Sequence, residues 1–384
     1  MCRFALYIGP PIKLEDLLTL PENSLIAQSR CGGNVSNLLG VEQSELWCEG
    51  LNAKLNERVN GDGFGVAWYD RRVASEPCLF KLAWPAWHDR NLFDLAKFVN
   101  SGLILAHVRA ATSSASRVQG PTPVSEQNCH PFRYRRWTFM HNGMVPCFSR
   151  LRRRLRSLLP DKLYEGLEGT TDSEHLFALF LAQLPMPDAA ADGGPPLDPY
   201  EAQYPAERIA EWLHVRLAIS AEFGAQFFRR RPSLSQATIQ TIVLLADEAG
   251  VTAACSLNIA VSDGTHVVVS RYRSSVRQDP PSLYFRVGGS FACEGGKLVA
   301  SAAADGKPRA VFVCSEPLST TGRGSAVDDE WTLIPKDHLL VISGRSVDEV
   351  PASSVAGGIS LRPISLRRPN PAVSPEVHRM RSAT

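Results

Sequence analysis

Cys2 is the second residue of the chain, in the opening stretch MCRFALYIGP. The small side chain at this position predicts removal of Met1 by methionine aminopeptidase, so that the mature chain begins with a cysteine that carries a free α-amine. An α-amino group has an unperturbed pKa of about 7.7–8.0 and can act as a base near neutrality. A thiol and a base then lie on one residue, and the amine can activate its own side chain. The pattern predicts a nucleophile that attacks a carbonyl carbon.

A nucleophile that attacks an amide needs hydrogen-bond donors for the negatively charged oxygen that forms. The segment FMHNGMV at 139–145 offers two candidates, the side-chain N–H of Asn142 and the backbone N–H of Gly143. Gly143 has no side chain, so its amide can be approached closely at a strand end. An ordinary Asn-Gly turn is the alternative interpretation.

Arg109 and Asp172 are candidates for holding the charged ends of an amino-acid-like substrate. Arg109 follows a predicted buried strand in LAHVRAATSS (105–114) and can hold a carboxylate with two hydrogen bonds. Asp172 stands at the predicted start of a helix in GTTDSEH (169–175), where it can receive an ammonium group. A structural ion pair is the alternative for Arg109, and a helix cap is the alternative for Asp172.

Two further motifs contain residue types that are common in active sites. The stretch RVNGDGFGVAWYD at 58–70 is glycine-rich, but no helix follows and Walker A spacing is absent, which favours a tight loop beside the site. Cys129 and His130 are adjacent in NCHPF, and adjacent strand residues point to opposite faces, which argues against a Cys–His nucleophile or a metal site. His107 and His141 are expected to be hydrogen-bonded residues behind the site.

Short β-branched or aromatic segments bounded by Gly, Pro, Asp or Asn predict many strands. They cover residues 4–8, 64–69, 79–83, 103–108, 137–141, 257–262, 266–272, 283–287, 310–314, 331–335 and 338–343. Helices are predicted at 149–162, 170–184, 205–228 and 233–250. The order of strands, then helices, then strands indicates an α+β fold and argues against a parallel sheet built from βαβ units.

Changes in composition mark three segments. The stretch 185–205 is rich in Pro, Gly, Ala and Asp and is predicted to be a mobile insertion in a domain that covers 1–345. The Pro/Ser/Arg-rich tail at 346–384 is expected to be partly disordered. The basic amphipathic helix SRLRRRLRSLLPDK at 149–162 is interpreted as a solvated face, with an anionic docking surface as the alternative.

The composition is that of a globular protein without a strong charge bias. The 384 residues are 44% hydrophobic and include 41 basic and 39 acidic side chains, for a formal net charge of +2. This balance points to neither nucleic acid nor a membrane surface, and the apolar runs are strand-sized. Nine cysteines without a CxxC pair indicate reduced thiols, and no targeting signal is evident, so a cytoplasmic location is expected.

Six motifs occur in the order seen in class II glutamine amidotransferases, and the chain resembles that family. They are MCR at the start, NGDGFG (60–65), HVRAAT (107–112), NCHPF (128–132), HNG (141–143) and TTDSE (170–174). The resemblance implies an N-terminal-nucleophile hydrolase with a four-layer αββα sandwich. Within the family, the chain is most similar to the glutaminase-like subunit of the Dug glutathione-degradation complex, and this similarity continues through 256–272, 282–289 and 314–318.

The resemblance also implies which residues bind substrate. Arg109 would bind the α-carboxylate of a γ-glutamyl group, Asp172 its α-amine, and Thr112 would help to shape that pocket. Many glutamine-dependent synthases have Trp and His where this chain has Ala110 and Ser113, so the lid of the pocket is expected to differ from theirs.

The implied activity is hydrolysis of a γ-glutamyl amide by Cys2 after removal of Met1, with Asn142 and Gly143 as the oxyanion hole. Hydrolysis is preferred over synthesis because no nucleotide-binding motif or synthase-like domain is found beside the sandwich, and glutathione, cleaved to glutamate and Cys-Gly, is the favoured substrate. The resemblance calls for no metal and no organic cofactor. It implies a physical partner, a WD-repeat metallopeptidase-type subunit.

Several alternatives remain open at this point. The chain could be a glutaminase that supplies ammonia to a separate synthase, a γ-glutamyl hydrolase of ergothioneine-type biosynthesis, or a non-catalytic scaffold that recruits a metallopeptidase. Nucleic-acid binding is not expected, because the Arg-rich segments at 150–156 and 229–231 are not accompanied by a nucleic-acid-binding signature.

Overall fold

A computed structural model describes residues 2–31, 59–111, 122–184, 198–213, 238–303, 306, 308–319, 331–344 and 356–364. The strands in these ranges are β1 (Arg3–Lys13), β2 (Phe64–Trp68), β3 (Cys78–Leu82), β4 (Asn100–Val108), β5 (Phe132–Tyr134), β6 (Trp137–Met144), β7 (Ser256–Ser262), β8 (Val267–Arg271), β9 (Tyr284–Gly288), β10 (Ser290–Glu294), β11 (Lys297–Ser301), β12 (Ala310–Cys314), β13 (Thr332–Leu333), β14 (His338–Gly344) and β15 (Ala356–Pro363). The α-helices are α1 (Glu15–Leu18), α2 (Leu25–Cys31), α3 (Arg90–Phe98), α4 (Phe148–Arg156), α5 (Asp161–Glu165), α6 (Asp172–Leu181), α7 (Ala206–Leu213) and α8 (Thr238–Glu248).

Two antiparallel sheets form the framework. The first sheet has the strand order β13-β9-β12-β1-β4-β2-β3, and the second has the order β15-β14-β8-β7-β6-β5. In the first sheet, β1 lies between β12 and β4, with Ala5 opposite both Cys314 and Ala106. In the second sheet, β6 lies between β5 and β7. The two strands that carry the candidate nucleophile and the candidate oxyanion hole therefore belong to different sheets.

An apolar layer joins the two sheets face to face. Alternate residues of β1 enter this layer, namely Phe4, Leu6 and Ile8, as the two-residue period of a strand requires. Met140 of β6 and Leu340 of β14 meet them from the second sheet. Because β1 is buried on its other face as well, its sequence RFALYI is an almost continuous apolar run and does not alternate.

Helices cover the outer face of each sheet. On the first sheet, α1, α2 and α3 pack around Tyr7 and bury Leu17, Leu25 and Leu92. On the second sheet, α4, α6, α7 and α8 form the outer layer of the largest core cluster. The layer order is helix, sheet, sheet, helix, so the predicted α+β class and four-layer αββα sandwich are confirmed. In the described ranges, no helix has the length and apolarity needed to cross a membrane.

Each predicted strand corresponds to an observed strand, with shifts of a few residues at the ends. The sequence analysis missed α3, which begins where the Asp89 side chain accepts the backbone N–H groups of Asn91 and Leu92. It also missed the hairpin of β10 and β11. The predicted helix at 205–228 is observed as α7 up to Leu213, and the rest of it lies outside the described residues.

The expectation that residues 346–384 stand outside the domain is wrong for part of this tail. Residues 356–363 form β15, which pairs with β14 and places Ser360 opposite Val341. Ile364 is buried in the core on the helical side of the second sheet. A strand at the edge of a sheet needs main-chain hydrogen bonds along one side only, so Ser and Arg are tolerated there. Tyr200, within the predicted insertion, is also buried in this core, while residues 185–197 lie outside the described residues.

Candidate active site

Cys2 lies half-buried immediately before β1, and its thiol contacts the segment that follows β4. The backbone N–H of Ala110 donates toward Sγ over 3.5 Å, and Sγ lies 3.6 Å from the Ala110 carbonyl oxygen. The register of the first sheet explains this contact, because Arg3 pairs with Val108 across β1 and β4. The candidate nucleophile therefore lies at the end of the sheet where β1 begins and β4 ends.

Burial raises the pKa of the Cys2 thiol above its ordinary value. The Ala110 N–H and nearby positive charges, including Arg109 and Arg3, act in the opposite direction, but they do not outweigh the loss of solvation. The thiol is therefore protonated at neutral pH and needs a base before it can attack. The predicted removal of Met1, which would supply the α-amine as that base, concerns a residue outside the described ranges.

Ser315, directly after β12, links the start of β1 to Asn142. Its Oγ accepts the backbone N–H of Phe4 at 3.0 Å, and its own N–H donates to the Phe4 carbonyl oxygen at 2.9 Å. The same Oγ accepts a hydrogen bond from Asn142 Nδ2 at 3.4 Å. Asn142 is 1% exposed, and its Oδ1 has no partner among the described residues. These bonds hold the Asn142 side chain at the start of β1, two residues from the candidate nucleophile.

The backbone amide of Gly143 faces an open edge of β6. Gly143 lies opposite Leu257, whose N–H donates to Tyr272 on the other side of β7 at 2.9 Å. The two residues are therefore a non-hydrogen-bonded pair, and the Gly143 N–H points away from β7. β5 pairs with β6 only up to Phe139, so no described strand covers this edge. A Cβ at position 143 would overlap the Ser256 carbonyl oxygen, which explains the glycine.

Asp172, the first residue of α6, lies at the same open edge. The N–H of Val145, which follows Gly143 by two residues and points the same way, donates to Asp172 Oδ2 at 2.7 Å. The cap of α6 is Thr171, whose hydroxyl accepts the N–H of Glu174 at 3.2 Å. The helix cap, which was the alternative interpretation of Asp172, is therefore Thr171. The Asp172 carboxylate is turned toward β6 and its exposed amide edge.

Arg109 is 3% exposed, and its guanidinium donates to the carbonyl oxygens of Asp62 at 3.3 Å and Pro123 at 2.9 Å. Among the described residues, no acidic side chain pairs with Arg109, so the structural ion pair that was its alternative is not observed there. Asp62 Oδ2 accepts the N–H of Ala111 at 2.7 Å, and the N–H of Arg109 donates to the Gly63 carbonyl at 2.8 Å. The glycine-rich stretch is a tight loop that fixes the segment after β4, as expected.

His107 and His130 are buried side by side behind the site. Their rings stack with centroids 4.1 Å apart. Burial, assisted by the positive charge of Arg109, lowers the pKa of His107 to about 3. Burial lowers the pKa of His130 well below its usual value. Both imidazoles are therefore neutral at neutral pH.

His141 is hydrogen-bonded behind the site, as expected. Its Nε2 donates to the Ser256 carbonyl at 3.1 Å, which leaves Nδ1 to accept from the Ser173 hydroxyl at 2.9 Å. These bonds tie β6 to the first turn of α6. Cys129 points elsewhere, with Sγ 3.4 Å from the carbonyl oxygen of Ser125. Across the described ranges, no group of three His, Cys, Asp or Glu side chains could hold a metal ion.

The structure brings Cys2, Asn142, Gly143 and Asp172 to one end of the two sheets. Of the two other candidates, Arg109 directly precedes Ala110, which contacts the Cys2 thiol, and Thr112 lies outside the described residues. Sequence reasoning assigned no role to Ser315, because a single serine after a strand carries no recognisable signal. The stretch CSEPL at 314–318 is recognisable in the sequence only through the family resemblance.

Two packed antiparallel sheets between helical layers, with a cysteine before the central strand, define the N-terminal-nucleophile hydrolase class. Comparisons with known proteins identify the branch of that class. Residues 46–197 match the family model for "Glutamine amidotransferases class-II". The chain is 34% identical over 359 residues to the "Probable glutamine amidotransferase DUG3" of Saccharomyces cerevisiae, a match that covers 90% of this chain and 83% of the relative.

Two further relatives extend the comparison. The γ-glutamyl-hercynylcysteine sulfoxide hydrolase of Mycolicibacterium smegmatis is 27% identical over 188 residues, or 48% of this chain and 63% of the relative. A solved glutamine aminotransferase class-II domain protein from Silicibacter pomeroyi has the same fold, with a TM-score of 0.50 and 24% identity over 96% of this chain and all of that one. The chain belongs to the class II glutamine amidotransferases and is an enzyme with hydrolase activity.

Acidification is expected to destabilise the fold, because the buried histidines are neutral when folded and bind protons on unfolding. An unperturbed histidine has a pKa of about 6.5, whereas the pKa is about 3 for His107 and about 4 for His175. Between these values the unfolded chain binds more protons than the folded chain. As the pH is lowered from about 6.5, the free energy of unfolding should therefore decrease, by about 1 kcal/mol per pH unit for each buried histidine.

Urea denaturation at a series of pH values measures this dependence. His107→Gln should flatten it, while His88→Gln, at an exposed histidine, should leave it unchanged. If the free energy of unfolding has the same pH dependence in both variants, the acid sensitivity does not come from the buried His107.

Ser315→Ala should destabilise the protein by about 1–3 kcal/mol, because it leaves the buried N–H of Phe4 without a partner. Ser319→Ala is the matched control, since Ser319 is also buried but its hydroxyl has no partner among the described residues. Chemical denaturation of both variants tests the prediction. An equal loss of unfolding free energy in the two variants would show that the hydrogen bonds of the Ser315 hydroxyl do not stabilise the fold.

Proposed function

We propose that this chain is a γ-glutamyl amide hydrolase whose nucleophile is Cys2, exposed as the first residue by removal of Met1. The proposed substrate is glutathione, cleaved to glutamate and Cys-Gly. The observation that carries the proposal is the meeting of Cys2, Asn142 and Gly143 at one end of two different sheets. Acyl transfer to sulfur requires hydrogen-bond donors for the negatively charged oxygen, and the proposal assigns this role to the Asn142 amide and to the Gly143 N–H, which no described strand pairs.

The α-amine of Cys2 takes the proton from its own thiol, which burial otherwise keeps protonated. The thiolate then attacks the γ-carbonyl carbon, and the carbonyl oxygen becomes negatively charged. Asn142 Nδ2 and the Gly143 N–H donate to this oxygen. The C–N bond breaks as the ammonium group of Cys2 gives its proton to the leaving nitrogen. A γ-glutamyl thioester remains, and water attacks it with the same amine as base to release glutamate and restore the thiol.

The charged ends of the γ-glutamyl group have separate partners in this proposal. Asp172 receives the α-ammonium group, because its carboxylate lies at the edge of β6 beside the Gly143 amide. Arg109 receives the α-carboxylate: its guanidinium has five N–H donors, and the carbonyls of Asp62 and Pro123 accept from two of its nitrogens. Thr112 would complete this pocket.

The nature of the relatives favours a leaving group that is a cysteine derivative. The mycobacterial relative is named as a hydrolase of a γ-glutamyl group joined to a substituted cysteine. Glutathione has the same γ-glutamyl linkage to cysteine. Together with the resemblance to the subunit of a glutathione-degradation complex, this linkage supports glutathione and a cytoplasmic complex with a metallopeptidase-type partner subunit.

A glutaminase that supplies ammonia to a synthase is the second candidate function, and the amidotransferase name of the yeast relative favours it. Both reactions use the same γ-glutamyl thioester and differ only in the leaving group. Steady-state kcat/KM for glutathione and for glutamine separates them. A higher kcat/KM for glutamine, without release of Cys-Gly, would assign the chain to the second function.

Cys2→Ala should lower the rate of γ-glutamyl hydrolysis by at least about 10³-fold, because it removes the attacking atom. Cys293→Ala is the matched control, since Cys293 is a half-buried free cysteine on the separate β10–β11 hairpin. Both variants should be assayed as purified from the native cell with their bound subunits. Retention of full activity by Cys2→Ala would favour the scaffold alternative.

Intact mass spectrometry after treatment with diazo-oxo-norleucine, a glutamine-like electrophile, tests the terminus itself. The expected product lacks Met1 and carries one label on Cys2. Fully active protein that retains Met1, or that is acetylated on the Cys2 nitrogen, would exclude the amine as the base.

A further inference from the structure

The helix α4 carries five arginines in nine residues, FSRLRRRLR. Its apolar residues Phe148, Leu151 and Leu155 are buried against the second sheet, so the arginines lie on the remaining surface. Among the described residues, only Arg154 has an acidic partner, Glu248, at 2.7 Å. The helix therefore concentrates positive charge that the described part of the protein does not neutralise.

Three of these arginines line one cleft of about 370 Å³. Its lining residues are Ser149, Arg152, Arg153, Arg156, Ser157 and Tyr164. Every one of these side chains has a hydrogen-bond donor, and none is an acid. Arg152 and Arg156 are half-buried, so the cleft is a recess in the surface and differs from a flat solvated helix face.

A buried histidine fixes the orientation of Arg156. Arg156 Nε donates to His175 Nε2 at 2.9 Å, and His175 Nδ1 donates to the Thr171 carbonyl at 2.7 Å. His175 is completely buried, and burial lowers its pKa to about 4, so Nε2 is a neutral acceptor. Arg156 is thus held through Nε and by its guanidinium carbon 5.9 Å from the centre of the Tyr164 ring, and no described residue accepts a hydrogen bond from its two terminal nitrogens, which can donate to an anion.

The arrangement is unfavourable without a counter-charge. Arg152 and Arg156 are four residues apart on one helix, and Arg153 and Arg156 are three apart, so their like charges repel. The carboxyl end of the helix dipole offsets only part of this repulsion. An anion in the cleft would relieve it.

We propose that this cleft, formed by α4 and Tyr164, binds the phosphate group of a small molecule. A phosphate monoester carries a charge of about −1.5 to −2 and three acceptor oxygens, which matches several guanidinium groups better than a single carboxylate does. The hydroxyls of Ser149 and Tyr164 supply further donors at the rim, whereas the Ser157 hydroxyl donates to the Arg154 carbonyl at 2.7 Å. The cleft lies in the helical layer, outside the candidate active site, and the proposal does not depend on the proposed reaction.

Isothermal titration of the full chain with pyrophosphate, at constant physiological ionic strength, tests the site. The variant Arg152→Gln/Arg153→Gln should bind pyrophosphate at least about tenfold more weakly than the unmodified chain, because two charge-assisted contacts are lost. It leaves Arg156 and its hydrogen bond to His175 in place. Circular dichroism should show an unchanged fold.

Arg150→Gln is the matched control, since Arg150 is an exposed arginine of the same helix that does not line the cleft. It should retain affinity within about twofold. Equal weakening by Arg150→Gln and the double variant would show general attraction to a basic surface and overturn the site. Absence of binding to the unmodified chain, or tighter binding of duplex DNA than of pyrophosphate through the same arginines, would also overturn it.

Discussion

The hydroxyl of Ser315 makes the contact on which the geometry of the candidate site depends. Burial of apolar side chains between two sheets is strong but has no direction, so it does not by itself fix how the strands of one sheet are aligned with those of the other. Ser315 Oγ accepts hydrogen bonds from the Phe4 N–H and from Asn142 Nδ2, and these bonds supply that alignment at the end where β1 begins. They connect the strand of the proposed nucleophile to the strand of the proposed oxyanion hole.

The same burial that orders this end of the sheets controls its proton chemistry. Loss of solvation raises the pKa of the Cys2 thiol and lowers the pKa of His107, His130 and His141. Each group is thereby held in its neutral form at neutral pH. The buried imidazoles, with their lowered pKa values, are poor bases, whereas the amine proposed as the base is on the cysteine itself. This consideration favours the N-terminal mechanism over a Cys–His pair.

The sequence was informative where local chemistry decides the structure. The β-branched and aromatic runs predicted most strands of both sheets, and the TTDSE motif located the start of α6 because capping is a contact between near neighbours. Composition misled for β15, since a strand that completes the edge of a sheet can be rich in Gly, Ser and Arg. The short helices of the first sheet's outer layer were missed because tertiary packing supplies most of the stability of a helix of that length.

The sequence by itself determined which reactive groups the chain has: a cysteine at position 2, an Asn-Gly pair at a strand end, and an Arg and an Asp in recognisable motifs. The tertiary structure decided which partners those groups have. It placed Asp172 against the Val145 amide at an edge of β6 that no described strand pairs, gave the capping role to Thr171, and directed Arg109 to two backbone carbonyls. The physical reason is that these roles depend on partners far apart in the chain, such as Phe4 and Ser315. Their proximity follows from the pairing and packing of the two sheets, and no local pattern in the sequence records it.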